Sequence, residues 1–145
     1  TNDAHANLFA PNAPEAENST RISTDLVVTN PNNRKSVVLA LKITTRERIV
    51  QPYAHQRILE AAFPPGQYRS LIVCISETQQ EKTLQAVNHI CTPGPIKLYQ
   101  RHLATVSGLL YCDIPTRYLA QDVTDCIPIL DNGNLISYLK HLLDT

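Results

Sequence analysis

The chain has 145 residues, and its thirteen basic and thirteen acidic side chains leave no formal net charge. This length fits one domain that folds around a single apolar core. A chain without net charge has no overall field to attract nucleic acid or an anionic membrane, so a nucleic-acid role would need a local basic patch. No apolar stretch approaches the roughly 20 residues of a membrane-spanning helix. We therefore expect a small globular protein with no membrane span and no nucleic-acid partner.

Residues 1–20 are rich in Pro, Asn and Glu, and they predict an extended lead-in. The segment 25–52 then contains an apolar run, a polar turn and a second apolar run that ends near Pro52. The turn sequence Asn30-Pro31-Asn32-Asn33 is a strong signal, because Pro presets φ and Asn tolerates left-handed backbone. Residues 37–45 are rich in Val, Leu, Ile and Thr, which favour strands. This segment predicts a β-hairpin.

The residues that follow continue the mainly β interpretation. Residues 48–51 predict a short strand stopped by Pro52, 55–63 one or two helical turns, and 67–76 a further apolar strand. Residues 77–91 are ambiguous between helix and strand, and Pro93-Gly94-Pro95 is interpreted as a break in the chain.

The C-terminal third is less decisive. Apolar residues in 96–111 recur at helical spacing, although Thr105-Val106-Ser107-Gly108 weakens a helix there. Residues 131–134 predict either a hairpin turn or a loop before a C-terminal helix. We predict an immunoglobulin-like β-sandwich core over 21–92 and a mixed α/β extension over 93–145, packed on that core in the same domain.

Three short motifs resemble those of the major sperm protein domain, an immunoglobulin-like sandwich. They are Thr29-Asn30-Pro31, Leu41-Lys42-Ile43-Thr44-Thr45 and Val50-Gln51-Pro52. The match is confined to residues 25–52, and residues 92–145 have no counterpart in that family. In that family a basic strand face binds an acidic, Phe-containing peptide. The resemblance implies that the analogous surface here consists of Lys42, Thr44, Thr45, Arg46 and Arg48.

The cysteines, the absence of Met and one glycosylation motif favour a processed, exported protein. The four cysteines are an even number and contain no Cys-x-x-Cys pair, which argues against a zinc ribbon or a redox motif. They are the disulfide candidates Cys74, Cys91, Cys112 and Cys126. Asn18 begins the motif Asn18-Ser19-Thr20 and is a glycosylation candidate. We expect a secreted or periplasmic protein with disulfides; a cytoplasmic protein with free thiols is the alternative.

No catalytic motif stands out in the sequence. The five histidines form no His-x-x-x-His pattern, and no phosphate-binding loop or nucleophile elbow is present. We therefore expect no metal and no cofactor. A Cys–His pair could come from Cys112 with His102 or Cys74 with His55. Acid–base work or Ca²⁺ binding could come from Asp125 with Asp122 or Asp113, but structural roles are the simpler interpretation.

These observations predict a non-catalytic protein-binding or structural module. Its partner would be another protein or peptide, recruited at an exposed sandwich edge by strand addition or side-chain docking. Two alternatives stay open: a cytosolic peptide-binding adaptor resembling the major sperm protein domain, and a small hydrolase that uses a Cys/His or Asp/His pair. Assembly into a homo-oligomer is also left open.

Overall fold

A mixed five-stranded sheet forms the centre of the computed structural model, which describes residues 22–46, 48–80, 83, 87–89 and 92–145. Its strands are β1 (Leu26–Thr29), β2 (Ser36–Lys42), β3 (Tyr68–Cys74), β6 (Gly108–Tyr111) and β7 (Ile129–Asp131), in the order β1-β2-β3-β6-β7. Strand β1 pairs antiparallel with β2, and the other three pairings are parallel. The predicted lead-in and the candidate Asn18 lie outside the described residues.

Helices connect the parallel strands, because a parallel pair needs a crossover rather than a tight turn. The helices are α1 (Val50–Ala62), α2 (Pro93–His102), α3 (Gln121–Thr124) and α4 (Leu135–Asp144). Two 3₁₀ turns cover Thr116–Leu119 and Asn132–Asn134, and a small antiparallel hairpin pairs β4 (Thr78–Gln80) with β5 (Val87–His89).

Helices cover both faces of the sheet, because successive strand residues point to opposite sides. On one face, buried Leu39, Leu71 and Leu110 pack with Leu139 and Leu142 of α4. On the other face a second cluster joins the sheet to α1, α2 and the 116–127 region; its buried members include Tyr53, Ile72, Ile96, Leu109, Tyr111, Tyr118 and Ile127. The architecture is therefore a three-layer α/β fold.

The predicted immunoglobulin-like β-sandwich is wrong. The strands predicted over 37–45 and 67–76 are present as β2 and β3, but they lie side by side in one sheet and run parallel. Parallel strands are buried on both faces and appear in a sequence as continuous apolar runs such as Leu71-Ile72-Val73. Such a run fits a sandwich strand equally well, so local sequence does not reveal the layer that covers it.

Two prolines were wrongly interpreted as stops. Residues 48–51 form no strand, because α1 begins at Val50 and contains Pro52 in its first turn. Pro93 likewise begins α2 instead of breaking the chain. The first backbone N–H groups of a helix have no partner within the helix, so Pro is tolerated there.

The C-terminal third contributes β6 and β7 to the main sheet. Strand β6 pairs in parallel with β3, and β7 pairs in parallel with β6. After β7, the 3₁₀ turn Asn132–Asn134 leads directly into α4, which is the loop-and-helix alternative for this region. The predicted division of the chain at residue 92 stays a prediction.

Helix α4 forms a helical layer on one face of the sheet, which a β-sandwich would lack. Truncation of a buried side chain of α4 therefore tests the architecture. We predict that Leu139→Ala lowers the free energy of unfolding by about 2–5 kcal/mol, because a buried Leu is truncated against the sheet. Ile136→Ala on the same helix is the matched control, since Ile136 is 64% exposed and Leu139 is 8% exposed. Urea denaturation of both variants measures the difference. Equal losses would contradict the packing of α4 on the sheet.

Candidate active site

A polar cleft lies between the open end of the β1–β2 hairpin and the first turns of α1. Its volume is about 210 Å³. The lining residues come from the segment before β1, the end of β2 and the start of α1: Ser23, Thr24, Asp25, Ala40, Lys42, Arg48, Gln51, Pro52 and His55. The cleft thus brings a carboxylate, two cations and an imidazole together.

Asp25 reaches the cleft through the register of the hairpin. Leu26 pairs with Leu39, so Asp25 stands across from Ala40 at the next position of the ladder. Its Oδ2 atom accepts a hydrogen bond from the backbone N–H of Leu41 at 2.8 Å. Within the described part of the chain its other carboxylate oxygen has no hydrogen-bond partner. One oxygen therefore fixes the side chain, and the other faces solvent or a ligand.

Lys42 is the last residue of β2 and lies on the same face as Ala40, because side chains alternate along a strand. Its Nζ is 3.5 Å from Oε1 of Gln51, a residue of the first turn of α1. Lys42 forms no ion pair with any residue that the structure describes. A half-buried ammonium group with a weak neutral partner is well placed to attract an anion.

Arg48 enters the cleft from the turn between β2 and α1. Its φ of 56° lies in the left-handed region, which is uncommon for a residue other than glycine. Backbone in such a conformation persists where surrounding contacts hold it, and it is frequent at binding and catalytic sites.

His55 lies one turn further along α1 and is half-buried. Burial, followed by the positive charge of Lys42, lowers the pKa of its imidazole below the ordinary value of 6.5. The ring is therefore neutral at pH 7 and does not add a third positive charge to the cleft.

A buried hydrogen-bond network lies beneath the turn that carries Lys42 and Arg48. Thr45 and Glu77 are both fully buried. The backbone N–H of Thr45 donates to Oε1 of Glu77 at 2.8 Å, and the Tyr111 hydroxyl donates to the same oxygen at 2.8 Å. The Thr45 hydroxyl lies 2.9 Å from the hydroxyls of both Tyr118 and Thr92. Several elements thus anchor the turn at Thr45.

The five residues predicted as a binding surface have different positions. Lys42 and Arg48 line the cleft, Thr45 is buried below it, Thr44 is half-buried and Arg46 is exposed. The structure therefore brings two of the five into one site.

Sequence reasoning missed Asp25, Gln51 and His55 as members of the cleft. For Asp25 a signal was available: an acid just before the first strand of a hairpin lies beside the end of the second strand. For Gln51 the signal was lost, because residues 48–51 were interpreted as a short strand stopped by Pro52. His55 was placed in the helical turns predicted over 55–63, but the missing first turn of α1 left it unconnected to the end of β2.

The described cysteines form no disulfide. Cys74, Cys112 and Cys126 are free thiols, and Cys91 lies outside the described residues. Burial, followed by the nearby charge of Glu77, raises the pKa of the Cys74 thiol to about 12. A thiol with so high a pKa is a poor nucleophile at neutral pH, which argues against Cys74 in a Cys–His pair.

The other candidate acid–base groups have local partners. The exposed Cys112 sulfur accepts a hydrogen bond from the Asn132 side chain at 2.9 Å. Asp122 forms an ion pair with Lys97, which lowers the pKa of the Asp122 carboxyl, and Asp125 accepts a hydrogen bond from Gln121. These groups lie outside the lining of the cleft.

Two features are absent from the described residues. These residues contain no group of three or more His, Cys, Asp and Glu side chains arranged to hold a metal ion. None of their helices has the length and apolar character needed to cross a membrane.

The fold defined by this sheet and its helices has a close counterpart among solved structures. The chain is 52% identical to the type IIP restriction endonuclease Kpn2I, with a TM-score of 0.78 over 81% of this chain. The match covers 39% of the Kpn2I chain, so this chain spans well under half the length of that relative. The restriction endonuclease PspGI, solved with substrate DNA, aligns over 78% of this chain and 43% of its own, with 10% identity and a TM-score of 0.49. No family model and no curated protein matches the chain.

Several expectations from the sequence are wrong in view of the similarity to Kpn2I. The resemblance to the major sperm protein domain does not extend to the fold. A non-catalytic structural or peptide-binding role, a protein or peptide partner and the exclusion of nucleic acid are all contradicted by a 52% identical endonuclease. Export has no support either.

The state of His55 can be measured directly. We predict an NMR titration midpoint for His55 below 6.5, and a partial rise towards 6.5 in Lys42→Met, because burial is the larger cause and remains. Lys35→Met, at the other end of β2, is the control and should leave the midpoint unchanged.

The same shift has a consequence for stability. Because the folded-state pKa is lower than the unfolded one, the contribution of neutral His55 is fully present above about pH 6.5 and is lost as the pH falls through the folded pKa. A midpoint at or above 6.5 in the unmodified chain would contradict the described environment.

Proposed function

We propose that the cleft is the active site of a nuclease that hydrolyses phosphodiester bonds in duplex DNA. The observation that carries this proposal is the convergence of Asp25, Lys42 and Arg48 in one cleft of a chain 52% identical to a restriction endonuclease. A similar fold alone does not imply the same activity. The cleft adds side chains whose chemistry suits phosphodiester hydrolysis.

The reaction needs stabilisation of negative charge more than covalent help from the protein. Water attacks phosphorus, one phosphorus–oxygen ester bond breaks, and the leaving oxygen takes up a proton. Charge on the non-bridging oxygens rises in the transition state, so cations held in place beforehand lower the barrier. Lys42 and Arg48 supply these charges, and the guanidinium group of Arg48 suits two-point binding of a phosphate.

Asp25 has the chemistry of a divalent-cation ligand. Mg²⁺ is commonly held by one or two carboxylates together with substrate phosphates. The free carboxylate oxygen of Asp25 would supply one ligand, and the phosphate of the DNA and water molecules would supply others. When bound, the ion would polarise the phosphate and lower the pKa of a water molecule.

The remaining polar residues of the cleft have supporting roles. The Oε1 atom of Gln51 is a weak acceptor for the Lys42 ammonium group, at 3.5 Å. His55 stays neutral beside Lys42 and can accept a hydrogen bond from a water molecule near the phosphate. A site of this kind acts on DNA inside the cell, so we propose a cytoplasmic location, with which the free thiols agree.

We predict that Lys42→Met lowers kcat for cleavage of supercoiled plasmid about 100-fold or more, because a positioned charge on the phosphate is lost. Asp25→Asn should lower kcat to a similar degree, and EDTA should abolish cleavage by the unmodified chain. Lys35→Met removes the same charge from the turn at the other end of β2 and is the matched control. Cleavage by Lys42→Met at the rate of the unmodified chain would contradict the proposal.

A further inference from the structure

Glu77 is a buried carboxyl side chain that accepts hydrogen bonds from the turn between β2 and α1 and from β6. It is fully buried, and two donors converge on its Oε1 atom: the Thr45 backbone N–H and the Tyr111 hydroxyl. Its Oε2 atom has no hydrogen-bond partner among the described residues. Burial of a carboxyl group is costly, and the cost is offset only where donors meet it.

Through its position in the chain, Thr45 links the Glu77 carboxyl to the residues of the cleft. Thr45 lies midway between Lys42 and Arg48, the two cations of the cleft. Its backbone is held by Glu77, and its hydroxyl is held by Tyr118 and Thr92. The turn is thus fixed at its centre, at Thr45.

The backbone of the turn needs such an anchor. Arg48 has a φ of 56°, a conformation that an arginine seldom adopts without external contacts. The end of β2 is fixed up to Ile43, whose carbonyl accepts a hydrogen bond from the Ser76 N–H at 3.1 Å, and α1 begins at Val50. Between these points the bond from Thr45 to Glu77 links the turn to the segment after β3.

We propose that Glu77 is a positioning residue of the cleft: it holds the Thr45 backbone so that Arg48 stays beside Lys42. This inference rests on the proposed nuclease function of the same cleft. Glu77 does not touch the substrate; it acts as a hydrogen-bond acceptor at a fixed point. An amide oxygen at the same place should therefore replace it.

The test compares variants that keep or remove the acceptor in the full chain. Glu77→Gln keeps an acceptor oxygen, and Glu77→Leu removes it at similar volume. Tyr111→Phe removes one of the two donors, and its matched control is Tyr138→Phe, which removes a hydroxyl that donates to the Ser107 carbonyl at 2.6 Å on another part of the sheet.

Two readouts are measured: amide hydrogen exchange at Thr45, with Leu110 as a core reference, and kcat and KM for plasmid cleavage. We expect Glu77→Leu to speed exchange at Thr45 but not at Leu110, and to lower kcat about 100-fold through misplacement of Arg48. Glu77→Gln should keep both the slow exchange at Thr45 and the kcat of the unmodified chain. Tyr111→Phe should speed exchange at Thr45 more than Tyr138→Phe does.

The inference is overturned if Glu77→Leu keeps slow exchange at Thr45 and unchanged kcat, or if exchange rises equally at Leu110. If Glu77→Leu does not fold, equal exchange at Thr45 in Tyr111→Phe and Tyr138→Phe overturns it. Absence of cleavage by the unmodified chain would remove the proposed function instead, and exchange at Thr45 would still decide whether Glu77 holds the turn.

Discussion

The register of the β1–β2 hairpin is the constraint on which the cleft depends. Leu26 pairs with Leu39, and the backbone N–H of Leu41 donates to Asp25. A slip of one residue in an antiparallel pair would move every side chain of β1 to the other face of the sheet. Asp25 would then leave the side on which Lys42 lies. The turn reinforces this register, because Asn30 N–H bonds the Lys35 carbonyl at 2.9 Å.

The parallel part of the sheet then determines what surrounds the hairpin. A parallel neighbour for β2 requires the crossover helix α1, and the start of α1 delivers Gln51 and His55 to the end of β2. The cleft is therefore a product of two connections, one tight turn and one crossover. Basic residues that are close in sequence are thereby separated in space: Arg34 and Lys35 lie at the far end of β2, roughly 23–26 Å from Lys42 at about 3.3 Å per residue.

The sequence could predict local elements but not the layers that cover them. Apolar runs located β2 and β3, and the Asn-Pro turn located the hairpin. Whether β2 and β3 pair in parallel depends on contacts between residues far apart in sequence, which an apolar run does not encode. Pro52 and Pro93 were interpreted as stops because the helical segments that the sequence indicates, 55–63 and 96–111, begin only after them, whereas the helices begin at Val50 and Pro93. The Glu77 carboxyl could not be placed at all, since its partners Thr45 and Tyr111 are 32 and 34 residues away in sequence.

The proposed nuclease function requires that the cleft at the end of β2 binds the DNA phosphate. Hydrogen exchange of the Asp25→Asn variant, with and without a short DNA duplex, tests this binding without relying on turnover. We expect slower exchange on DNA binding at residues 40–42 and 48–55, with no change in the turn at 30–35. Protection confined to the turn at 30–35, or to α4, would contradict the assignment of the cleft.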